Sequence, residues 1–202
     1  MRTDRVLYRG EFVPERSKKP EKEGYAWVLD YLPYGALDES KPLYQRKPVV
    51  QAVGEKHFVL IELVPKEGVV VEPHQRVYIG DKERELIDHV KRRIKYAELS
   101  HGAQSELPYV VEEIVKKHEQ RFVDFFNSAY PLTPRMHMLE LLPGIGKKLM
   151  WAIIEERERG KFKSFDDITS RIPTLHQPEK LIAKRIIEEL KDENIKYRVF
   201  VR

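Results

Sequence analysis

Cysteine is absent from the 202-residue sequence, which excludes disulfide staples, thiolate metal sites and thiol catalysis together. No apolar run approaches the roughly 20 residues that a membrane helix needs. The opening Met1-Arg2-Thr3-Asp4-Arg5 also lacks the apolar stretch of a signal peptide. These absences point to a cytoplasmic protein with no membrane contact. Signatures of catalysis are missing as well. The seven histidines are scattered, with no His-Glu-x-x-His spacing. Gly144-Ile145-Gly146-Lys147 lacks the spacing and the hydroxyl residue of a P-loop, and Asp166-Asp167 reads as a dipole-matched helix cap rather than a metal pair. The expectation is a protein that is not an enzyme and uses no cofactor or metal.

What is present is charge of both signs. Charged residues make up 35% of the chain, yet the formal net charge is only +4. Dense mixed charge with few Asn and Gln resembles thermophile surface chemistry. No single basic field covers such a surface, so a polyanion would have to be met by local patches.

The hydrophobic pattern divides the chain. Val6-Leu7-Tyr8 is strand-like, and Glu15 to Glu23 reads as a solvated loop or arm. From Tyr25 to Gly80 the signals are β: Tyr25 to Leu32, Pro48 to Val53, His57 to Val64 and Arg76 to Ile79, separated by proline and glycine turns. Short strands without intervening helices predict a small antiparallel barrel, OB-like as first choice and SH3-like as second. After Gly80 the period turns helical. Asp81 caps a helix carrying Leu86, Ile87, Val90, Ile94 and Leu99, and Ser105 caps the next, reaching Phe126. Thr133-Pro134 starts a helix to about Leu142. Further helices cover Lys147 to Arg159, a stretch opened by Ser164 with Asp167 as a box-like cap, and Glu179 to Asp192; Ile195 to Val201 alternates like a strand. The fold class is α+β, with a barrel and trailing helix over 1–102 and a helical domain over 103–202.

The most informative segment is Leu142-Pro143-Gly144-Ile145-Gly146-Lys147-Lys148. Two glycines between helical patterns let the chain turn and bring bare backbone near a ligand. Ile145 plugs the turn into the core. The N–H groups of Gly144, Gly146 and the first helical residues then lack helical acceptors, at the positive end of the helix dipole. A phosphate oxygen fits such a site. Lys147 and Lys148 add full charge in a first turn that ordinarily favours acids.

This segment, from Met138 to Ile154, resembles the helix-hairpin-helix motif of DNA repair, recombination and replication proteins, whose hairpin amides hold the phosphate backbone. Met150 stands where that motif usually has alanine. Glycosylases with this hairpin place a catalytic aspartate after it; Glu155 to Arg159 and Lys161 to Phe165 show no such segment. The pattern repeats, with Ile153-Ile154-Glu155-Glu156 recurring as Ile186-Ile187-Glu188-Glu189. Lys147 then matches Lys180, Met150 matches Ala183 and Pro143 matches Pro173. The second hairpin, Ile172 to Pro178, has no glycine. Thr174, His176, Gln177 and Lys180 supply side-chain donors there, or the copy is purely structural. As a whole, the chain resembles an archaeal family described as predicted nucleic-acid-binding proteins with an OB-like barrel.

Two further candidates come from charge and rings. Lys91-Arg92-Arg93-Ile94-Lys95 is the densest basic run, and Arg92 and Lys95 fall along one side of the expected helix. Among the barrel aromatics, Tyr34 and Tyr44 lie among loop signals and are the first candidates for base stacking. The functional expectation is a nucleic-acid-binding protein without sequence preference, gripping DNA or RNA by its backbone. Its alternative is a protein-interaction adaptor in a translation or RNA-processing assembly.

Overall fold

The computed structural model describes residues 22–35, 42 and 46–202. The expected strand at Val6 to Tyr8, most of the Glu15 to Glu23 arm and Tyr44 lie outside these residues.

Five strands, β1 (Tyr25–Leu32), β2 (Val49–Gly54), β3 (Leu60–Pro65), β4 (Arg76–Tyr78) and β5 (Ile87–Arg93), form one antiparallel sheet in the order β4-β1-β2-β3-β5. The sheet curls into a half-barrel, with β4 and β5 at its two edges. Side-chain alternation gives each face its own core. Ala26, Val28, Val50, Ala52, Ile61, Leu63, Val77 and Ile87 fill the concave face. Trp27, Leu29, Val53 and Leu60 turn the other way and join a larger apolar cluster made with the helices. That cluster runs without interruption from the sheet to the last helix.

The helices are α1 (His101–Lys117), α2 (Glu119–Ser128), α3 (Lys147–Arg159), α4 (Phe165–Arg171) and α5 (Pro178–Lys191). α1 lies against β1 and α5, burying Leu107, Val110, Val111 and Ile114. Its cap is Ser100, whose hydroxyl accepts the Ala103 N–H at 2.9 Å and donates to Asp30 at 2.5 Å. The chain breaks between α1 and α2 at His118, which reaches back to Glu55 on the sheet at 2.8 Å. The cap expected at Ser105 is therefore five residues late, and one long helix is in fact two.

Three other expectations are corrected. The helix expected from Asp81 to near Gly102 is instead β5, a short 3-10 turn at Tyr96–Glu98 and the first residues of α1. Two bulges in the β3–β5 register, between Glu62 and Leu63 and between Val64 and Pro65, re-aim successive side chains. The apolar residues of a broken strand thereby acquire a helix-like spacing. Thr133-Pro134 starts no helix. β6 (Pro131–Thr133) and β7 (Met136–His137) form a small hairpin, and the Thr133 hydroxyl accepts the Arg135 N–H at 3.3 Å. This hydrogen bond to the second residue on is the one an N-cap makes, used here inside a turn. The tail forms no strand. Glu189, with no exposed surface, accepts the N–H groups of Val199 (2.9 Å), Phe200 (2.9 Å) and Val201 (3.0 Å), so a buried carboxylate takes the place of a partner strand.

Candidate functional site

The glycine hairpin sits where expected, at the N-terminus of α3. A 3-10 turn (Met138–Leu141) leads into it, replacing the longer helix expected from Pro134. His137 anchors that turn. Its Nδ1 accepts the Leu139 N–H at 3.1 Å, while Glu140 accepts the His137 N–H at 2.8 Å. Burial, then the nearby Arg157 cation, holds the His137 imidazole below the usual histidine range, consistent with a neutral ring accepting through Nδ1.

The turn closes through the Ile145 N–H, which donates to the Leu142 carbonyl at 3.1 Å. Ile145 is buried and plugs the hairpin into the core, as its sequence position implied. Gly144 has φ +87°, a left-handed conformation in which a side chain is strained. Gly146 is the N-cap of α3 with φ −91°, ψ 179° and no side-chain cap. Its backbone would suit any residue. Around both glycines no described residue occupies the space that a Cβ would fill; the left-handed backbone still calls for glycine at position 144, whereas nothing among the described residues requires it at 146. The first-turn N–H groups of α3 accordingly have no side-chain acceptor.

The two lysines differ. Lys147 donates to the Arg135 carbonyl at 2.7 Å and to Glu140 at 2.8 Å. This ion pair is the first cause holding the Glu140 carboxyl below the usual carboxylate range. Lys147 is thus half neutralised and works mainly to pin the β6–β7 hairpin against α3. Lys148 is exposed and has no ion pair among the described residues. Glu140 is the partner that sequence reasoning missed, since it sits on the 3-10 turn and Lys147 on α3, and only the fold of the turn between them brings the two side chains together. Pro143 is half-buried beside the turn.

The internal repeat is visible in the geometry. In the second copy the Leu175 N–H donates to the Ile172 carbonyl at 2.9 Å, reproducing the bond of the first turn. Leu175 is buried like Ile145, Ile186 like Ile153, and Ala183 like Met150. Met150 is accommodated without being exposed. Thr174, His176 and Lys180 are all on the surface around this turn. α5, however, is capped by Gln177 in a left-handed conformation and begins with buried Pro178, which has no N–H to offer. The second turn presents side chains rather than an amide cradle.

Arg92 and Lys95 do not join either hairpin. Arg92 lies on β5, where it meets buried Glu62 at 3.0 Å and Glu98 at 2.5 Å. Lys95 pairs with Glu193 at 2.9 Å. Both cations are neutralised, so they tie the sheet to its neighbours instead of forming a free basic stripe. Tyr34 is well exposed. Among the described residues no cluster of three or more His, Asp or Glu suits a metal ion, and no helix is long and apolar enough to cross a membrane.

Comparison with known proteins places the chain among archaeal relatives. The family model described as "Protein of unknown function (DUF655)" matches residues 22–202. The uncharacterized protein MJ0038 of Methanocaldococcus jannaschii is 52% identical over 190 residues, covering 94% of this chain and 84% of that protein. The crystal structure of Af1531 from Archaeoglobus fulgidus superposes with a TM-score of 0.84 at 49% identity, covering 89% of this chain and all of that one. The chain belongs to the DUF655 family.

Proposed function

We propose that the protein binds nucleic acid without sequence preference, gripping the phosphate backbone at the Gly144–Lys148 hairpin in the manner of a helix-hairpin-helix motif. One observation carries this reading. Gly146 adopts a conformation open to any residue, in a place where a side chain would meet no described residue. Glycine at this N-cap, where serine would serve the helix at least as well, leaves bare backbone that something outside the protein can approach closely. The adjoining helix start favours an anion, and exposed Lys148 adds a full charge. Because the contacts are to phosphate, they carry no base information. The second hairpin, with Thr174, His176 and Lys180, supports the complex more weakly. The direct test measures the affinity for unrelated duplexes of equal length. Near-equal affinities that fall together in Gly146→Ser support the reading; strong preference for one sequence, or no binding at low salt, overturns it.

One observation favours the adaptor reading. Trp151 on α3 is 57% exposed, and large exposed aromatics are common anchors at protein interfaces. On that reading Trp151→Ala abolishes capture of a protein partner, while alanine at Lys147 and Lys148 changes nothing.

A further inference from the structure

The concave core of the half-barrel does not close at its end. Between the β3 and β5 side and the segment after β4 it opens into a groove of about 430 Å³, within the range of small-ligand sites, which recur in the mouths of β-barrels. Its apolar lining is Val59, Ile61, Ile79 and Val90. Val90 is unusual for an edge strand full of charge: it is 39% exposed, facing the groove. Arg84, Arg93 and Arg202 line the same groove.

Charge in the groove is unbalanced. Lys22 is matched by Asp81 at 3.0 Å. Glu23 directs its carboxylate at the backbone N–H groups of Lys56 (2.8 Å) and His57 (2.7 Å). Among the described residues Arg84 donates to the carbonyls of Gly80 and Asp88 and meets no carboxylate. Arg93 and Arg202 have no carboxylate partner among the described residues, whereas Arg76, Arg92, Arg171 and Arg185 each meet one. The backbone of Arg202 is held at the rim by a bond from its N–H to the His57 carbonyl, 3.3 Å. His57 itself lines the groove, is 8% exposed, and has an Nε2 with no hydrogen-bond partner among the described residues. A buried polar atom left unpaired is costly unless a ligand or water satisfies it. Apolar walls, uncompensated guanidinium groups and an unpaired imidazole nitrogen together describe a site for a flat, weakly polar body carrying an anion.

From these observations we infer that the groove binds a nucleotide, its base against Val59, Ile61, Ile79 and Val90 and its phosphate between Arg93 and Arg202. The inference draws its choice of ligand from the nucleic-acid reading above, but the site is separate from the hairpin. The nucleotide is either an unpaired residue of a strand whose duplex part lies on the hairpin, or a free mononucleotide.

The experiment compares a blunt duplex with the same duplex carrying a single-stranded overhang, by fluorescence anisotropy with the full chain. The overhang is expected to tighten binding by about tenfold. The gain disappears in Arg93→Glu/Arg202→Glu and in Val90→Ser, which keeps both arginines, while blunt-duplex affinity stays within about twofold. Gly146→Ser weakens both duplexes together. Adenosine monophosphate that competes away the gain alone identifies a free-nucleotide site; a gain resistant to it identifies a strand-end site. Equal affinities with and without the overhang, combined with no effect of adenosine monophosphate, overturn the inference, as does a gain that survives both groove variants. If blunt duplex fails to bind but an arginine-dependent nucleotide site remains, the hairpin reading falls and the groove stands.

Discussion

Replacing Glu189 should release the C-terminal tail and with it a large part of the protein's stability. The carboxylate has no exposed surface and collects four donors. Oε1 accepts from Arg185 Nε at 2.9 Å and from the Val199 N–H at 2.9 Å; Oε2 accepts from Phe200 at 2.9 Å and Val201 at 3.0 Å. Alanine leaves Arg185, itself buried, without its closest carboxylate and strands three amides. Breaking a buried pair from one side costs about 3–5 kcal/mol. Glutamine keeps the shape, but its NH₂ group must face one of the two donor pairs, so two hydrogen bonds to a charged acceptor become donor–donor contacts. Bonds to charged groups contribute about 1.5–3 kcal/mol each, and relaxation of the tail limits the net loss for Glu189→Gln to about 2–3 kcal/mol. Once loosened, the tail also withdraws Phe200 from Phe122 and Phe125, whose ring centroids lie 5.8 Å and 5.2 Å from it. Urea denaturation reads the loss, and amide exchange locates it: Val199 to Val201 should lose protection first. A loss below about 1 kcal/mol for Glu189→Ala, with the tail amides still protected, would refute the reasoning.

Other consequences can be checked more briefly. Serine is a slightly better N-cap than glycine, so Gly146→Ser should leave the urea midpoint unchanged or raised by a few tenths of a kcal/mol while weakening duplex binding roughly tenfold. Gly144→Val should cost stability as well as binding, by about 1–2 kcal/mol, because of its left-handed backbone. Lys148→Ala should reduce the salt slope of duplex binding by about 0.9, the value of one phosphate contact; Lys147→Ala should reduce it less, because Glu140 already shares that charge. His74 bridges Glu106 and Glu113 of α1, both at 2.8 Å. The bond to Glu106 is the main cause raising its imidazole above the usual histidine range, against a smaller opposing effect of burial. A raised folded value means the bridge contributes fully below the unfolded value of about 6.5 and fades as pH rises through the folded one. His74→Asn should therefore destabilise at pH about 5.5, by up to about 1 kcal/mol given partial exposure, and much less at about 9; a pH-independent gap in urea midpoints contradicts it.

Local pattern carried some of this molecule and misled elsewhere. β1 to β4 and the helices α3 and α5 follow from period and punctuation, because each is regular and bounded by its own turn residues. β5 was illegible for the opposite reason: its bulges destroy the period of two and leave Ile87, Val90 and Ile94 at a spacing that mimics a helix. The segment before the hairpin looks helical in sequence because Thr133-Pro134 carries the chemistry of a cap, and only tertiary packing decides which structure uses it. At the candidate site, the hairpin, its plug Ile145 and its repeat at Leu175 were visible in sequence. The neutralisation of Lys147, Arg92 and Lys95 was not. Their partners Glu140, Glu62 and Glu193 are brought close by turns and strand pairing, which no local spacing records. Within the Lys91 to Lys95 run, Lys91, Arg92 and Lys95 each meet a carboxylate, and Arg93 is left without one among the described residues, as is Lys148 at the hairpin.

The central claim is the backbone grip at Gly144 to Lys148, and a salt titration of duplex binding tests it most directly. About three to five phosphate contacts predict a log–log slope of about −3 to −4.5 on duplex DNA. A slope near zero, or no measurable binding at low salt, would contradict the account.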